Sequence, residues 1–205
     1  MKLTVYHAKL LALGQDVFDT PDAAVHLGIT AGHANKVLTR LAETGHMIRI
    51  KRGRWLLPGR LTPLALVPHL TAPFPSYVSL QSALYYHGLI SQIPSVIYMV
   101  SLARSGQRCI PLGCFSVHHI NPSFFFGYEL LDGGRVRMAC PEKAVLDLLY
   151  LGSARSGLFR NWPEVSLPRG FKTRKAMHMI RRIPSQRLRV LVNKRFTVFL
   201  KSATG

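Results

Sequence analysis

The sequence predicts an α+β protein in two parts, and three observations lead there. Residues 20–58 read as helix, tight turn, helix and then a short basic hairpin. From residue 77 onward, helical and strand patterns alternate, with a hairpin turn marked by Asp132-Gly133-Gly134. Between the two parts, Pro58, Pro63, Pro68, Pro73 and Pro75 repeatedly interrupt regular structure.

The first part opens with a helix over residues 4–14, with Val5, Ala8, Leu11 and Ala12 on one face and Gly14 at its end. Thr20-Pro21 then starts a short helix, because Thr is a good N-cap and Pro fits the first helical position. Ala23, Ala24 and Leu27 give it one apolar side. Gly28-Ile29-Thr30 makes the turn, and Thr30 can cap the next helix. Over 31–44 the apolar residues are Ala34, Val37, Leu38, Leu41 and Ala42, the spacing of a helix buried on one face. His33, Asn35, Lys36, Thr39, Arg40 and Glu43 are left on the other faces, and Gly45 fits the C-cap. Residues 47–50, 51–53 and 54–58 read as strand, basic turn, strand. A helix pair followed by a two-stranded wing is a winged helix-turn-helix, which we assign to residues 1–60.

That assignment selects a binding surface. The second helix of the pair is the one expected in a major groove, with His33, Asn35, Lys36, Thr39 and Arg40 reaching bases or backbone. Asn pairs bidentately with adenine and Arg with guanine, while Lys36 and Arg40 equally suit phosphates. Lys51, Arg52 and Arg54 place three cations around Gly53, a tip suited to phosphate or minor-groove contact. Arg49 alternates with Ile48 and Ile50 and adds to the same surface, whereas Trp55 is read as core.

Residues 61–76 are read as a linker, in which 64–67 can form one turn of helix. The remainder, 77–205, is read as a mixed α/β domain. Ser79 is expected to cap a helix over 80–87, closed by Gly88. Strands are expected over 96–102 and 113–120, and a hairpin pairs 128–131 with 135–139. Pro141 starts a helix to residue 151, with Ala144, Val145, Leu148 and Leu149 as its core face. Residues 171–182 form another, with Ala176, Met179 and Ile180 on one side. The apolar stretches 188–192 and 196–200 fit either strands or one helix.

Charge points to a polyanionic partner: 27 Lys and Arg against 9 Asp and Glu give a formal net charge of +18 over 205 residues. The surplus is concentrated in residues 150–205, which hold 13 basic residues and 1 acidic. Nucleic acid is the leading partner and an anionic membrane surface the weaker one. Three cysteines, Cys109, Cys114 and Cys140, are too few and odd in number for a disulfide framework, so a reducing cytoplasm is expected. No signal peptide is evident, and no apolar run approaches the roughly 20 residues of a membrane span.

At this point the chain resembles a known family. An N-terminal winged helix ends in "IKRGRW", and the following domain contains "YVSLQSALYYHGLI", a hairpin and "ACPEKAVLDLLYL". This pattern resembles the AbiEi-type antitoxins, the abortive-infection regulators of type IV toxin–antitoxin systems. The resemblance implies a transcriptional autorepressor that binds operator repeats of its own promoter in double-stranded DNA. It also implies an antitoxin that counters a nucleotidyltransferase-like toxin, without a stable direct complex. By the match, DNA contacts fall on Asn35, Lys36, Thr39, Arg40, Lys51, Arg52 and Arg54. The alternatives are a stand-alone DNA-binding regulator, or an RNA-binding factor using the basic residues 155–201.

Enzymatic readings find little footing, so no catalysis, cofactor or metal is expected. Cys109, Cys114, His118 and His119 have the spacing C-x4-C-x3-H-H, longer than the turn-like pairs of structural zinc sites, and adjacent histidines on a strand face opposite sides. Metal-dependent phosphodiester cleavage needs clustered carboxylates, and Glu142 and Asp147 do not share a helix face well. Residues 152–157 lack the Lys-Ser/Thr ending of a phosphate-binding loop, and no nucleophile elbow frames Ser101, Ser105 or His118.

Overall fold

A computed structural model of the chain describes residues 2–152 and 165–203. The fold is mixed α+β, with eight α-helices and two sheets among the described residues. The chain divides into two compact units: Met1–Leu70 with Ile110–Leu112, and Thr71–Cys109 with Gly113–Gly205. The glycine-containing stretch 152–157, beyond its first residue, and the basic residues between 155 and 164 lie outside the described residues.

The first unit contains α1 (Leu3–Ala12), β1 (Val17–Asp19), α2 (Thr20–Leu27), α3 (Ala31–Glu43), β2 (Ile48–Lys51) and β3 (Arg54–Leu56). Its core draws on every element but β2: Tyr6 and Leu10, Phe18, Ala23 and Leu27, Val37, Leu38 and Leu41, then Met47, Trp55 and Leu57. α3 buries Ala34, Val37, Leu38 and Leu41, as its periodicity requires, and the Thr30 hydroxyl accepts the His33 N–H at its N-terminus. Three expectations need correction. The apolar face read on the first helix is not the buried one: Tyr6 and Leu10 are buried, whereas Val5, Ala8, Leu11 and Ala12 are exposed. The β2–β3 hairpin forms as expected but does not stand alone, because β1 pairs antiparallel with β3 to give the sheet order β1-β3-β2. Asp19, not Thr20, occupies the N-cap of α2, since Thr20 is already helical. The Thr20 side chain is instead drawn inward: it accepts from Trp55 Nε1 at 2.9 Å and donates to the Gly53 carbonyl.

The stretch read as a linker is ordered. It carries α4 (Val67–Thr71) and ends in the start of β4 (Ser76–Val78). Ala65, Leu66, Val67 and Leu70 are buried, so apolar burial outweighs the prolines that suggested a connector.

The second unit continues with α5 (Leu80–Tyr86), β5 (Ile97–Ser101), β6 (Gly106–Ile110), β7 (Gly113–His119), β8 (Tyr128–Leu131), β9 (Val136–Ala139), α6 (Pro141–Leu151), α7 (Thr173–Arg181) and α8 (Gln186–Ala203). Its six strands run in the order β6-β7-β5-β4-β9-β8. β5 and β7 are parallel, as are β4 and β9, whereas β4–β5 and β8–β9 are antiparallel. Edge strand β6 had no counterpart in the sequence reading; Gly106–Ile110 is polar, exposed and without apolar alternation. The open choice over 188–200 resolves as one helix, α8.

α6 is the centre of the helical layer, touching α5, α7, α8 and β9. Neighbours on so many sides bury Glu142, Lys143 and Asp147 along with the apolar residues of that helix. Glu142 ties down α7: one carboxylate oxygen accepts the Lys172 N–H at 2.9 Å and the other pairs with Lys175 Nζ at 3.1 Å.

The cysteines also differ from expectation. Cys109 and Cys114 form a disulfide across the β6–β7 turn, leaving Cys140 as the buried free thiol. Cysteine number did not reveal this, because a two-stranded ladder brings residues five apart into bonding range. No helix among the described residues is long and apolar enough to cross a membrane.

Candidate nucleic-acid interface

The expected contact residues fall into two groups on the first unit. The helix group sits on α3. His33, Asn35, Lys36 and Arg40 are exposed, and Thr39 is half-buried. With about 100° between successive helical residues, this group divides again. His33, Lys36 and Arg40 lie along one edge, where together with Leu3 and Tyr6 of α1 they line an open groove of about 670 Å³. The His33 ring stands edge-on to Tyr6 at 5.8 Å. Asn35 and Thr39 take the other edge of the exposed arc, and the Thr39 hydroxyl donates to the Asn35 carbonyl at 2.8 Å. That bond occupies the Thr39 donor and leaves only its lone pairs for another partner.

The hairpin group sits on the β2–β3 turn. Gly53 takes φ +76°, the left-handed backbone that a tight two-residue turn demands. Arg52 at the tip and Arg49 on β2 are exposed, and Lys51 is half-buried. The Arg49 guanidinium lies 5.6 Å from the centroid of the Trp55 ring, which is itself fully buried as expected.

Arg54 is the exception among the expected cations. Its Nε and one terminal nitrogen each donate to an Asp19 carboxylate oxygen at 2.7 Å. This fork geometry spends the guanidinium on an internal carboxylate. Arg54 is therefore a strut between β3 and β1 rather than an outward-facing phosphate ligand. The hydrogen bond from Arg54 holds the Asp19 carboxyl below its ordinary range. Asp19 was absent from the sequence reading because it lies 35 residues from Arg54, and only the β1–β3 pairing unites them.

The turn is fixed from a second side. The Thr20 N–H donates to the Gly53 carbonyl at 2.8 Å, beside the Thr20–Trp55 bond. The start of α2 thus clamps the backbone of the basic turn that carries Arg52.

A second polar constellation lies inside the other unit and was not foreseen. Lys143 Nζ is bonded to Asp147 Oδ1, and both side chains are fully buried. Asp147 Oδ2 accepts from the Tyr77 hydroxyl at 2.9 Å and from Ser79 Oγ at 2.8 Å. Ser79 occupies the N-cap position of α5, as expected, but its hydroxyl satisfies the carboxylate instead of bonding the helix end. Lys143 Nζ also lies 3.7 Å from the Phe124 ring centroid and within cation–π reach of Phe126 and Tyr77. Burial pulls the Lys143 ammonium below its ordinary pKa and pushes the Tyr77 hydroxyl well up. The sequence signal was the i, i+4 spacing of Lys143 and Asp147, which places them on one helix face. With no solvent access, the cluster is an internal brace.

Other residues weighed for chemistry are separated. His118 is buried and shares a hydrogen bond with Ser116 Oγ at 2.9 Å, whereas exposed His119 faces the Ala103 carbonyl. Ser105 Oγ accepts the His119 N–H and Ser101 Oγ donates to the Pro75 carbonyl. Among the described residues, no group of three or more His, Cys, Asp or Glu side chains is placed to hold a metal ion. No protein-family model and no curated protein matches the chain.

Proposed function

We propose that the first unit is a winged helix-turn-helix that binds double-stranded DNA, and that the protein is an autorepressor and antitoxin of the AbiEi type. The observation that carries the DNA-binding half is the construction of α3. Ala34, Val37, Leu38 and Leu41 anchor it, and Asn35, Lys36 and Arg40 stand exposed on the remaining arc. A helix held rigidly by one face and offering amide and guanidinium forks on the other suits base edges in a major groove. The clamped Arg52 turn supplies the second, backbone-directed contact. The autorepressor and antitoxin half is supported by the sequence resemblance, which spans both parts of the chain.

The two halves are tested separately. Footprinting of the region upstream of the protein's own gene should show protection over repeated sequence, abolished by Lys36→Ala with Arg40→Ala. Protection unchanged by that pair overturns the assigned reading surface. Co-expression with a nucleotidyltransferase-like toxin encoded beside the gene should restore growth. Persistent toxicity in the presence of well-folded protein overturns the antitoxin role and leaves the DNA-binding role standing.

A further inference from the structure

We propose that the outer face of α8 is a docking seam for an acidic amphipathic helix of a partner protein. At about 100° per residue, Arg187, Val190, Leu191, Lys194, Val198 and Lys201 share one arc of roughly 100° along this 18-residue helix. All six are exposed, Val190 at 64% and Val198 at 61%. The opposite arc holds Val192, Phe196 and Phe199, which are buried in the body of the unit. The helix is thus anchored on one side and presents a second patterned face on the other. Arg187, Leu191, Lys194, Val198 and Lys201 follow alternating steps of four and three, the period of a helix-pairing seam. They span about 21 Å at 1.5 Å per residue.

The composition of the seam selects the occupant. No Asp or Glu occurs anywhere in 165–203, so its three cations meet no carboxylate within that segment. A second copy of α8 would set cation against cation and is disfavoured in either direction. Nucleic acid would satisfy the cations but leave Val190, Leu191 and Val198 idle, because base stacking calls for aromatic or guanidinium planes. A bilayer surface requires a broad apolar face turned into the acyl boundary, and the broader apolar face of α8 is already buried. An approaching helix with leucines at the same spacing, flanked by glutamates, buries the three aliphatics and pairs the three cations. This surface lies on the second unit and does not depend on the DNA-binding reading of the first.

The test uses the full chain and a synthetic helical peptide of about the length of α8, with leucine at alternating three- and four-residue steps and glutamate at the flanking positions. Calorimetric titration should give saturable one-to-one binding. Leu191→Ser or Val198→Ser should weaken it about tenfold, in line with the loss of one buried aliphatic side chain. Lys194→Glu should weaken it comparably, and a peptide carrying lysine at the facing position should rescue that variant. Each variant should keep its thermal midpoint and its DNA binding, since the altered side chains are exposed and lie outside the first unit. Three results overturn the proposal: no saturable binding, equal binding of a peptide with its leucines changed to serine, or stronger α8-dependent binding to structured RNA or anionic vesicles than to the peptide.

Discussion

Lys143 and Asp147 lie one turn apart on α6, both without solvent exposure, and bond Nζ to Oδ1 inside a ring of Tyr77, Phe124 and Phe126. An ammonium and a carboxylate this deep persist only when each satisfies the other and further donors complete the carboxylate. Tyr77 and Ser79 do so, linking β4 and the start of α5 to α6. The pair thus fixes where the central helix sits against the sheet.

Removing one member should cost far more than removing both charges. Lys143→Met or Asp147→Asn alone should destabilise the second unit by about 3–5 kcal/mol. The double variant removes both charges and keeps an amide oxygen for Tyr77 and Ser79, so it should lose less than either single change. Urea unfolding followed by circular dichroism checks this, and additive losses would show that the two residues are not coupled.

The Asp19–Arg54 strut makes a prediction about acid. The folded-state carboxyl is held low, first by its hydrogen bond from Arg54, below the roughly 3.9 of an unfolded chain. Its contribution is therefore fully present above about pH 4. It is lost as pH falls through the lower folded-state value. With Asp19 41% exposed, the effect should not exceed about 1 kcal/mol. Asp19→Asn should flatten that part of the acid unfolding curve while leaving stability near neutrality only slightly reduced.

Arg52 and Arg54, two residues apart, should respond differently to truncation. Arg52→Ala should lower the slope of log K against log salt by about one for duplex DNA, as one phosphate contact is lost. Arg54→Ala should act mainly by loosening the turn, reducing affinity with little direct change in that slope. Asn35→Ala should instead alter base preference, read by selection from a randomised operator pool.

Thr20 couples the helix pair to the hairpin, so Thr20→Val should be costly for so small a change. It leaves the buried Trp55 Nε1 without its acceptor, a loss of about 1–3 kcal/mol. Hydrogen exchange at the Gly53 turn should accelerate in the same variant.

Thiol counting checks the disulfide directly. Denatured, unreduced protein should titrate one thiol, Cys140, and reduction should raise the count to three. In the native state Cys140 should react slowly, being buried. Three thiols without reductant would contradict the Cys109–Cys114 link.

Local patterns in the sequence determined much of this protein by themselves. The burial face of α3, the Thr30 cap, the basic turn and the β8–β9 hairpin all follow from spacings within a few residues, where periodicity and turn chemistry act. Tertiary structure alone decided what depends on distant partners. Arg54 reads as a phosphate ligand until β1 delivers Asp19. Ser79 reads as a cap until α6 delivers Asp147, 68 residues away. Cys109 and Cys114 read as unpaired until β6, a strand with no hydrophobic alternation, lies against β7. In each case a side chain chose between a local role and a remote one. Burial decided it for Ser79, because a polar group removed from water must find its partner wherever the fold brings one; strand pairing decided it for Arg54 and for Cys109, by bringing residues that sequence keeps apart into bonding range.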